Sequence, residues 1–249
     1  MVSLYIQFGL RQGAFRERGQ AGILKGDHRW KDWTMLAFLG GTGPEGKGLA
    51  LRFALAGEEV VIGSRDAGRA MEAAQSLLEL APGSSITGDV NEAAAASANA
   101  IFVTVPYEGQ RALLENLAPM LAGKLVVTTV APMSFIRGRG AVAVDVDDGS
   151  AAQQAQNILA ASQVVAAFQN ISAVKLMDPS VKMEGDVVVC SDHAEAREQV
   201  MGLVSKIPNL RGVDGGALSN AKYVEQLTTL LVNINRIYKT QSMVKIVGV

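Results

Sequence analysis

The chain carries a glycine-rich motif whose spacing suits the binding of a nucleotide diphosphate. The segment Leu36–Gly48 reads LAFLGGTGPEGKG: a short apolar run, a turn rich in glycine, and the start of a helical pattern. Within it, Gly41, Gly43 and Gly46 follow the spacing G-x-G-x-x-G, which in a strand–turn–helix context is typical of dinucleotide-binding sites. A glycine-rich turn without a ligand is the alternative, and the correct flanking patterns argue against it.

Each residue of this motif has a physical role in such a turn. We expect Gly41 to take a positive φ in the tight reversal, because glycine does so without steric cost. We expect Gly43 to leave room for the pyrophosphate and Gly46 to let the helix pack closely on the strands. Pro44 suits the first helical turn, where its missing N–H has no partner to lose. The free N–H groups of that turn are predicted to hold the phosphates.

A second segment, about 20 residues further on, indicates which nucleotide binds. An NAD site usually carries an acidic residue there to bind the ribose hydroxyl, whereas this chain has Gly63-Ser64-Arg65 and then Arg69 one helical turn later. The forked guanidinium matches a phosphate and keeps its charge. One charge-assisted bond of about 1.5–3 kcal/mol favours NADP over NAD roughly ten- to a hundredfold. We therefore predict that Ser64, Arg65 and Arg69 bind a 2′-phosphate; two solvated arginines at a helix start are the alternative.

Composition excludes several other classes of protein. The 249 residues are 49% hydrophobic with a formal net charge of −1, which fits one large domain, or one and a smaller one, and no nucleic-acid partner. No apolar run approaches the roughly 20 residues of a membrane span. The single cysteine, Cys190, allows no disulfide within the chain, and the two histidines, His28 and His193, make a metal site built on imidazoles unexpected.

The elements that must position these residues alternate between apolar strands and helical patterns from Met35 onward. This order predicts an α/β fold with a Rossmann-type, doubly wound, mostly parallel sheet. The predicted strands are Leu36–Leu39, Glu59–Ile62, Ala100–Val105, Lys124–Thr128 and a weaker one at Ser85–Thr87, with a further apolar run at Val164–Phe168. The predicted helices between them are Gly46–Ala56, Gly68–Leu80, Glu92–Ser97, Gln110–Ala122 and Ser150–Ala161.

The chain divides into three segments by pattern. Residues 1–34 mix charge, glycine and apolar residues without a period, so we expect an extension that is disordered or not native, with Met35 as the natural start; an organelle transit peptide is the alternative. Residues 35–170 form the predicted nucleotide-binding Rossmann domain. Residues 171–249 form a predicted small α/β domain.

The predicted small domain has one strand and two helices. The strand is Asp186–Cys190, followed by helices over Asp192–Lys206 and from Leu218 to about Tyr238. The last helix is predicted to bury one face, because its apolar residues recur at helical spacing. These residues are Val224, Leu227, Leu231, Ile234 and Ile237.

Four stretches together resemble the coenzyme F420-dependent NADP reductases. They read GGTGPEGKGLALRFALAGEEVVIGSRD, SSITG, VTVP and GALSNAKYVEQLTTLLVNINRIYK, and the resemblance runs from about Met35 to Val249. It implies hydride transfer between NADP(H) and the deazaflavin F420. It also implies a cytoplasmic homodimer whose small C-terminal domain serves substrate binding and dimerisation, with small-molecule cofactors rather than nucleic acid or membrane as partners.

The resemblance also implies where the cofactors lie. Thr42, Gly43, Pro44 and Glu45 would surround the pyrophosphate, and the 2′-phosphate would take the same serine and arginines as above. The remaining residues on the nucleotide side are small or apolar, and ordinary core packing is the alternative for most of them. Along the nucleotide these are Val105 and Pro106, and near the nicotinamide Ala131 and Ala173.

The deazaflavin side departs from the family pattern at two positions. The resemblance assigns Gln169, Asn170, Ile171 and Ser172 to this side, and the family commonly has histidine in place of Gln169 and another near Gln110. Glutamine still donates and accepts hydrogen bonds, so a flat ring with carbonyl and N–H groups can be bound. Glutamine carries no charge and does not titrate as histidine does.

Hydride transfer between two stacked rings requires orientation and exclusion of water rather than an activated nucleophile. We therefore assign no catalytic acid, base or nucleophile and no metal. Two other functions fit the same nucleotide half: an NADP-dependent reductase acting on another electron acceptor, and a non-catalytic NADP-binding protein.

Two charged clusters leave alternatives open. Asp145, Asp147 and Asp148 are expected in a solvated loop, with Mg²⁺ ligation as the alternative. Arg137 and Arg139 fit a surface loop or contact with an anionic substrate tail.

Overall fold

The glycine-rich turn lies between a strand and a helix, as predicted. A computed structural model describes residues 35–249, and the predictions for residues 1–34 lie outside this part of the chain. The strands are β1 (Leu36–Leu39), β2 (Val60–Ser64), β3 (Ile86–Val90), β4 (Ala100–Val103), β5 (Leu125–Thr128), β6 (Met133–Ile136), β7 (Gly140–Ala143), β8 (Gln163–Ala166), β9 (Gly185–Val189) and β10 (Leu210–Asp214). The helices are α1 (Pro44–Leu55), α2 (Ala67–Leu80), α3 (Asn91–Ser97), α4 (Tyr107–Leu121), α5 (Ala151–Ile158), α6 (Ala173–Leu176), α7 (Ala194–Lys206) and α8 (Ala221–Tyr238).

The main sheet has six parallel strands in the order β3-β2-β1-β4-β5-β8. In the centre, Leu36 of β1 pairs with Val60 on one side and Ala100 on the other. Strands β1, β4 and β5 are buried along their whole length, because helices cover both faces of a parallel sheet. This order is that of the Rossmann fold, so the predicted fold class is confirmed.

A smaller parallel sheet lies after residue 170. Strands β9 and β10 pair over Gly185–Val189 and Leu210–Asp214, with α7 as their crossover. A bridge between Ala166 and Cys190 joins this unit to the end of β8. Residues on both sides of position 170 share one hydrophobic core cluster. The division into two domains at this point stays a prediction.

An aromatic cluster fills the core below the carboxyl ends of the strands. Phe38 and Phe102 stack with ring centroids 4.8 Å apart, and Phe53 lies 5.3 Å from Phe102. Phe168, just after β8, meets Phe53 edge-on at 6.1 Å. The cluster therefore links helix α1 to the loop that follows the last strand of the sheet.

The prediction of a fully buried face on the last helix is wrong for its C-terminal half. Val224 is buried, while Leu231 and Ile234 are half-buried and Ile237 is 68% exposed. The C-terminal part of this apolar stripe is therefore not covered by other parts of residues 35–249. No helix in this part of the chain is long and apolar enough to cross a membrane.

Candidate functional site

A cavity of about 720 Å³ opens at the carboxyl edge of the main sheet. Its walls come from the glycine turn after β1, the loops after β4, β5 and β8, the hairpin β6–β7, and α8. In an open α/β sheet, ligands bind outside the carboxyl ends of the strands where the strand order reverses. Here that reversal falls between β1 and β4, beside the cavity.

The cavity brings together most of the residues that the sequence predicted for the site. Those that line it are Gly43, Pro44, Glu45, Val105, Pro106, Ala131, Gln169, Asn170, Ile171, Ser172 and Ala173. The predicted residues that do not line it belong to the turn and the first turn of α1, or to the end of β2 and the start of α2: Gly41, Thr42, Gly46, Ser64, Arg65 and Arg69.

The sequence interpretation missed several lining residues. They come from the hairpin and from α8 with the segment after it: Met133, Ser134, Phe135, Thr228, Leu231, Val232, Asn235, Gln241 and Ser242. The hairpin was not predicted at all. The helical spacing of α8 gave a signal for an inward face, but not for where that face points.

The glycine that takes a positive φ in the turn is Gly40 rather than Gly41, so that prediction is wrong. Gly40 has φ +68°, and a Cβ there would lie 2.2 Å from Cγ1 of Val105. Gly41 is constrained by space instead, because its Cβ would lie 2.5 Å from the carbonyl oxygen of Phe38. The N–H of Gly40 donates to Oδ1 of buried Asn91 at 3.1 Å, which fixes the turn to the start of α3.

The next two glycines behave as expected. Helix α1 begins at Pro44, with Gly43 as its N-cap and no side chain capping it. A Cβ on Gly43 would meet nothing within 4 Å, so the backbone there is open to a ligand. A Cβ on Gly46 would lie 2.5 Å from Cα of Gly41, so α1 packs directly on the turn. Uncapped N–H groups at a helix start attract phosphate.

The end of β2 presents two exposed arginines. Arg65 and Arg69 are exposed and form no ion pair within residues 35–249. Asp66, the acid nearest to the position that usually binds ribose, caps α2 by accepting the N–H of Arg69 at 2.9 Å. One oxygen of its carboxylate is therefore engaged at the helix start, and the two guanidinium groups have no carboxylate partner among residues 35–249.

Glu45 has an unusual environment for an acid in a glycine-rich turn. The residue as a whole is half-buried, yet its Oε1 is sealed from solvent and accepts no hydrogen bond from the described residues. Burial raises the pKa of the Glu45 carboxyl to about 8. The side chain is thus neutral at pH 7, so it does not repel a phosphate.

The segment after β8 is held by hydrogen bonds on both sides. Gln169 donates from Nε2 to the carbonyl oxygen of Thr128 at 3.0 Å. Asn170 donates from Nδ2 to the carbonyl oxygen of Val224 and to the hydroxyl of Thr228, both at 2.9 Å. The amide of Asn170 therefore serves to dock α8, whereas Oε1 of Gln169 has no partner among the described residues.

Glu225 connects α8 to the start of α5. Its carboxylate accepts the N–H groups of Ala151 at 2.8 Å and Ala152 at 3.0 Å, at the start of α5. Burial raises the pKa of the Glu225 carboxyl to about 7, partly offset by these two N–H groups. A buried carboxylate at a helix start is also stabilised by the helix dipole.

The acidic cluster at Asp145–Asp148 and the arginines Arg137 and Arg139 differ in their contacts. No group of three or more His, Cys, Asp or Glu side chains suited to a metal occurs among residues 35–249. Asp148 accepts hydrogen bonds from Asn157 and Gln154, and the bond from Asn157 is the main cause of its lowered pKa. Arg137 and Arg139 are exposed in the turn between β6 and β7, next to a hairpin strand that lines the cavity.

A family model and known proteins match this chain. Residues 35–132 match the family described as NADP oxidoreductase, coenzyme F420-dependent. The F420-dependent NADP reductase of Methanothermobacter marburgensis is 42% identical over 205 residues, which covers 80% of this chain and 92% of that protein. The F420-dependent NADP reductase of Methanocaldococcus jannaschii is 35% identical over 211 residues, covering 83% and 94%.

A solved structure has the same fold. It is described as a candidate F420-dependent NADP reductase from Arthrobacter sp. FB24, and it aligns with a TM-score of 0.74 at 23% identity. The alignment covers 87% of this chain and the whole of that one.

Proposed function

This chain belongs to the family of F420-dependent NADP reductases, and we propose that it transfers a hydride between NADP(H) and the deazaflavin coenzyme F420. One observation carries the proposal: a single cavity joins the glycine turn of a dinucleotide site to the segment Gln169–Ala173 on the opposite wall. In the overall reaction NADPH, F420 and a proton give NADP⁺ and reduced F420, so atoms and electrons balance without a further reactant.

The nucleotide half of the site fits NADP. Gly43 leaves space where a Cβ would stand, and the uncapped start of α1 offers N–H groups to the pyrophosphate. We propose that Arg65 and Arg69, with Ser64 at the end of β2, bind the 2′-phosphate. Neutral Glu45 adds no negative charge beside the pyrophosphate. Thr42, Gly41 and Gly46 complete the turn.

The opposite half fits a flat ring. We propose that Val105, Pro106, Ala131 and Ala173 provide the apolar walls, which exclude water and hold two rings face to face. Gln169–Ser172 form the deazaflavin side of the cavity. The residues of this chain act by orientation, and none is assigned as a general acid, base or nucleophile.

The assembly state is part of the same proposal. A homodimer gives a partner to the apolar residues that α8 leaves exposed, among them Leu230 and Ile237. We propose that residues 171–249 supply this contact together with part of the substrate site, and that the enzyme works in the cytoplasm.

One experiment separates this function from its alternatives. Purified protein is mixed with NADPH and F420, and the absorbance bands of both are followed together. Loss of the NADPH band with matching bleaching of F420 supports the proposal. Binding of NADPH without its oxidation contradicts it and favours a non-catalytic NADP-binding protein. Oxidation of NADPH by another acceptor, but not by F420, favours a different reductase.

A further inference from the structure

The amide of Gln169 is held in one orientation. Its Nε2 donates to the carbonyl oxygen of Thr128 at 3.0 Å, and a carbonyl can only accept. Turning the amide over would place two oxygens against each other, so Nε2 faces the sheet and Oε1 faces away. Gln169 is 5% exposed and lines the cavity. Its Oε1 is sealed from solvent and receives no hydrogen bond from residues 35–249.

A second glutamine stands behind this contact. The hydroxyl of Thr128 donates to Oε1 of Gln110 at 3.1 Å. Nε2 of Gln110 donates to the carbonyl oxygen of Ala151 at 2.9 Å, so the orientation of this amide is fixed as well. All three side chains are buried. Gln169 and Gln110 are therefore joined through Thr128 in this fold.

The backbone next to Gln169 is strained. Phe168 has φ +71°, a left-handed conformation that is rare for a bulky side chain. Its ring is 1% exposed and packs against Phe53 and Phe102, with centroids 6.1 and 6.0 Å away. This packing holds the strained residue in place, which is the usual condition for strain beside a functional group.

We propose that Oε1 of Gln169 completes its hydrogen bonding with an amide-type N–H of the bound ring, so that this pocket selects ligands that present such a donor. The inference rests on the proposed function. A buried acceptor without a donor costs free energy, and a ligand that supplies the donor recovers it. The backbone carbonyl of Thr128 sets the direction in which Oε1 points.

Two parts of the proposed substrates carry this chemistry. The pyrimidinedione ring of a deazaflavin has an imide N–H, and the nicotinamide has a carboxamide NH₂. Both are planar and both lie in the predicted site. The experiment therefore has one arm for each source.

The test measures dissociation constants for matched ligand pairs with wild type and Gln169→Leu. One pair is a deazaflavin with a free imide N–H and its N-methyl derivative. The other is NADP⁺ and its 3-acetylpyridine analogue, which lacks the amide NH₂. Wild type is expected to prefer the N–H ligand of one pair about 10- to 100-fold. Gln169→Leu is expected to reduce that preference to within about threefold, and since leucine is close to glutamine in size, added ligand bulk affects both proteins alike.

Two further variants test whether the ligand preference depends on the amide of Gln169. Gln199→Leu changes a buried glutamine on α7 that does not line the cavity, and it is expected to keep the wild-type preference. Gln169→Met, an unbranched side chain of similar length without the amide, is expected to lose the preference as Gln169→Leu does. A residue that only stabilises the fold would not change a ratio between two ligands.

The outcomes separate this inference from the proposed function. Equal preference in wild type and Gln169→Leu, in both ligand pairs, overturns the inference even when NADPH reduces F420. Absence of any reaction between NADPH and F420 overturns the proposed function, and the nicotinamide pair still tests the role of Gln169. If Gln169→Leu does not fold, Gln169→Met decides: an unchanged preference in that variant overturns the inference.

Discussion

The guanidinium of Arg52 donates from Nε to the backbone carbonyl oxygen of Leu176 at 2.9 Å, across 124 positions in sequence. Its Nη2 donates to three more backbone carbonyl oxygens around Leu176, those of Lys175, Asp178 and Val181. Arg52 is 7% exposed. These hydrogen bonds join helix α1, which begins at the glycine turn, to the chain just after Ala173. Arg52 thus connects the two elements that follow the cavity-lining segments Gly43–Glu45 and Gln169–Ala173.

Replacing this guanidinium should destabilise the protein. Arg52→Met removes the donor of one buried carbonyl oxygen and of three partly buried ones, and we expect a loss of about 2–3 kcal/mol in the free energy of unfolding, measured by urea denaturation. Arg111→Met is the matched control, because Arg111 forms exposed ion pairs with Glu115 and Asp148 at 3.4 Å. We expect it to cost less than about 1 kcal/mol. Equal losses in both variants would contradict the role given to Arg52.

Nucleotide choice should depend on the arginines after β2. Arg65→Ala combined with Arg69→Ala is expected to raise the dissociation constant of NADPH about 10- to 100-fold, because charge-assisted bonds to the 2′-phosphate are lost. The constant for NADH should change little, since NADH lacks that phosphate. Isothermal titration with both nucleotides measures the difference. Equal weakening for the two nucleotides would refute the assignment.

Local patterns sufficed for the part of the site that lies within one strand–turn–helix unit. The positions of Gly43, Gly46 and Pro44 follow from sequence spacing, and only the positive φ was assigned to the wrong glycine. The contacts that complete the site are non-local: Gln169 meets Thr128 across 41 positions, and Asn170 meets Thr228 across 58. Hydrophobic periodicity does not encode such pairings.

The hairpin β6–β7 escaped prediction for a different reason. Phe135 in β6 is 73% exposed, so the strand shows no alternation between a buried and a solvent face. Its pairing is set by the turn, where Gly138 and Gly140 take positive φ, and by Asn233 of α8, which bonds both the N–H and the carbonyl of Ala141. A side chain 92 residues away thus fixes an element whose own pattern is weak.

Glu225 should make stability fall as pH rises. Its pKa in the folded protein is about 7, above the ordinary value of 4.5, so the native state binds this proton more tightly than the unfolded chain. The contribution is full below pH 4.5 and is lost as pH rises through about 7. The unfolding free energies of wild type and Glu225→Gln are measured from acidic to neutral pH. The value for wild type should fall relative to that for Glu225→Gln as pH rises. A difference independent of pH would contradict the raised pKa.

Glu45 should make nucleotide binding weaken in mild alkali. Its carboxyl is neutral below its pKa of about 8 and becomes an anion above it, beside the turn that receives the pyrophosphate. We expect the dissociation constant of NADPH for wild type to rise as pH passes through 8, while that for Glu45→Gln stays level. Fluorescence titration of NADPH at a series of pH values compares the two. Parallel pH profiles would show that Glu45 remains in one protonation state.

Two glycine variants should separate binding from folding. Gly43 has φ −77° and open space around a Cβ, so Gly43→Ala should cost no more than about 1 kcal/mol of unfolding free energy, the penalty for alanine at an N-cap. The added methyl occupies the approach of the pyrophosphate, so NADPH affinity should fall at least about tenfold, or roughly 1.4 kcal/mol. Gly46→Ala places its Cβ 2.6 Å from Oγ1 of Thr104 and should cost about 1–3 kcal/mol of stability. Urea denaturation and NADPH titration of both variants test this. An unchanged affinity of Gly43→Ala for NADPH would show that the pyrophosphate lies elsewhere.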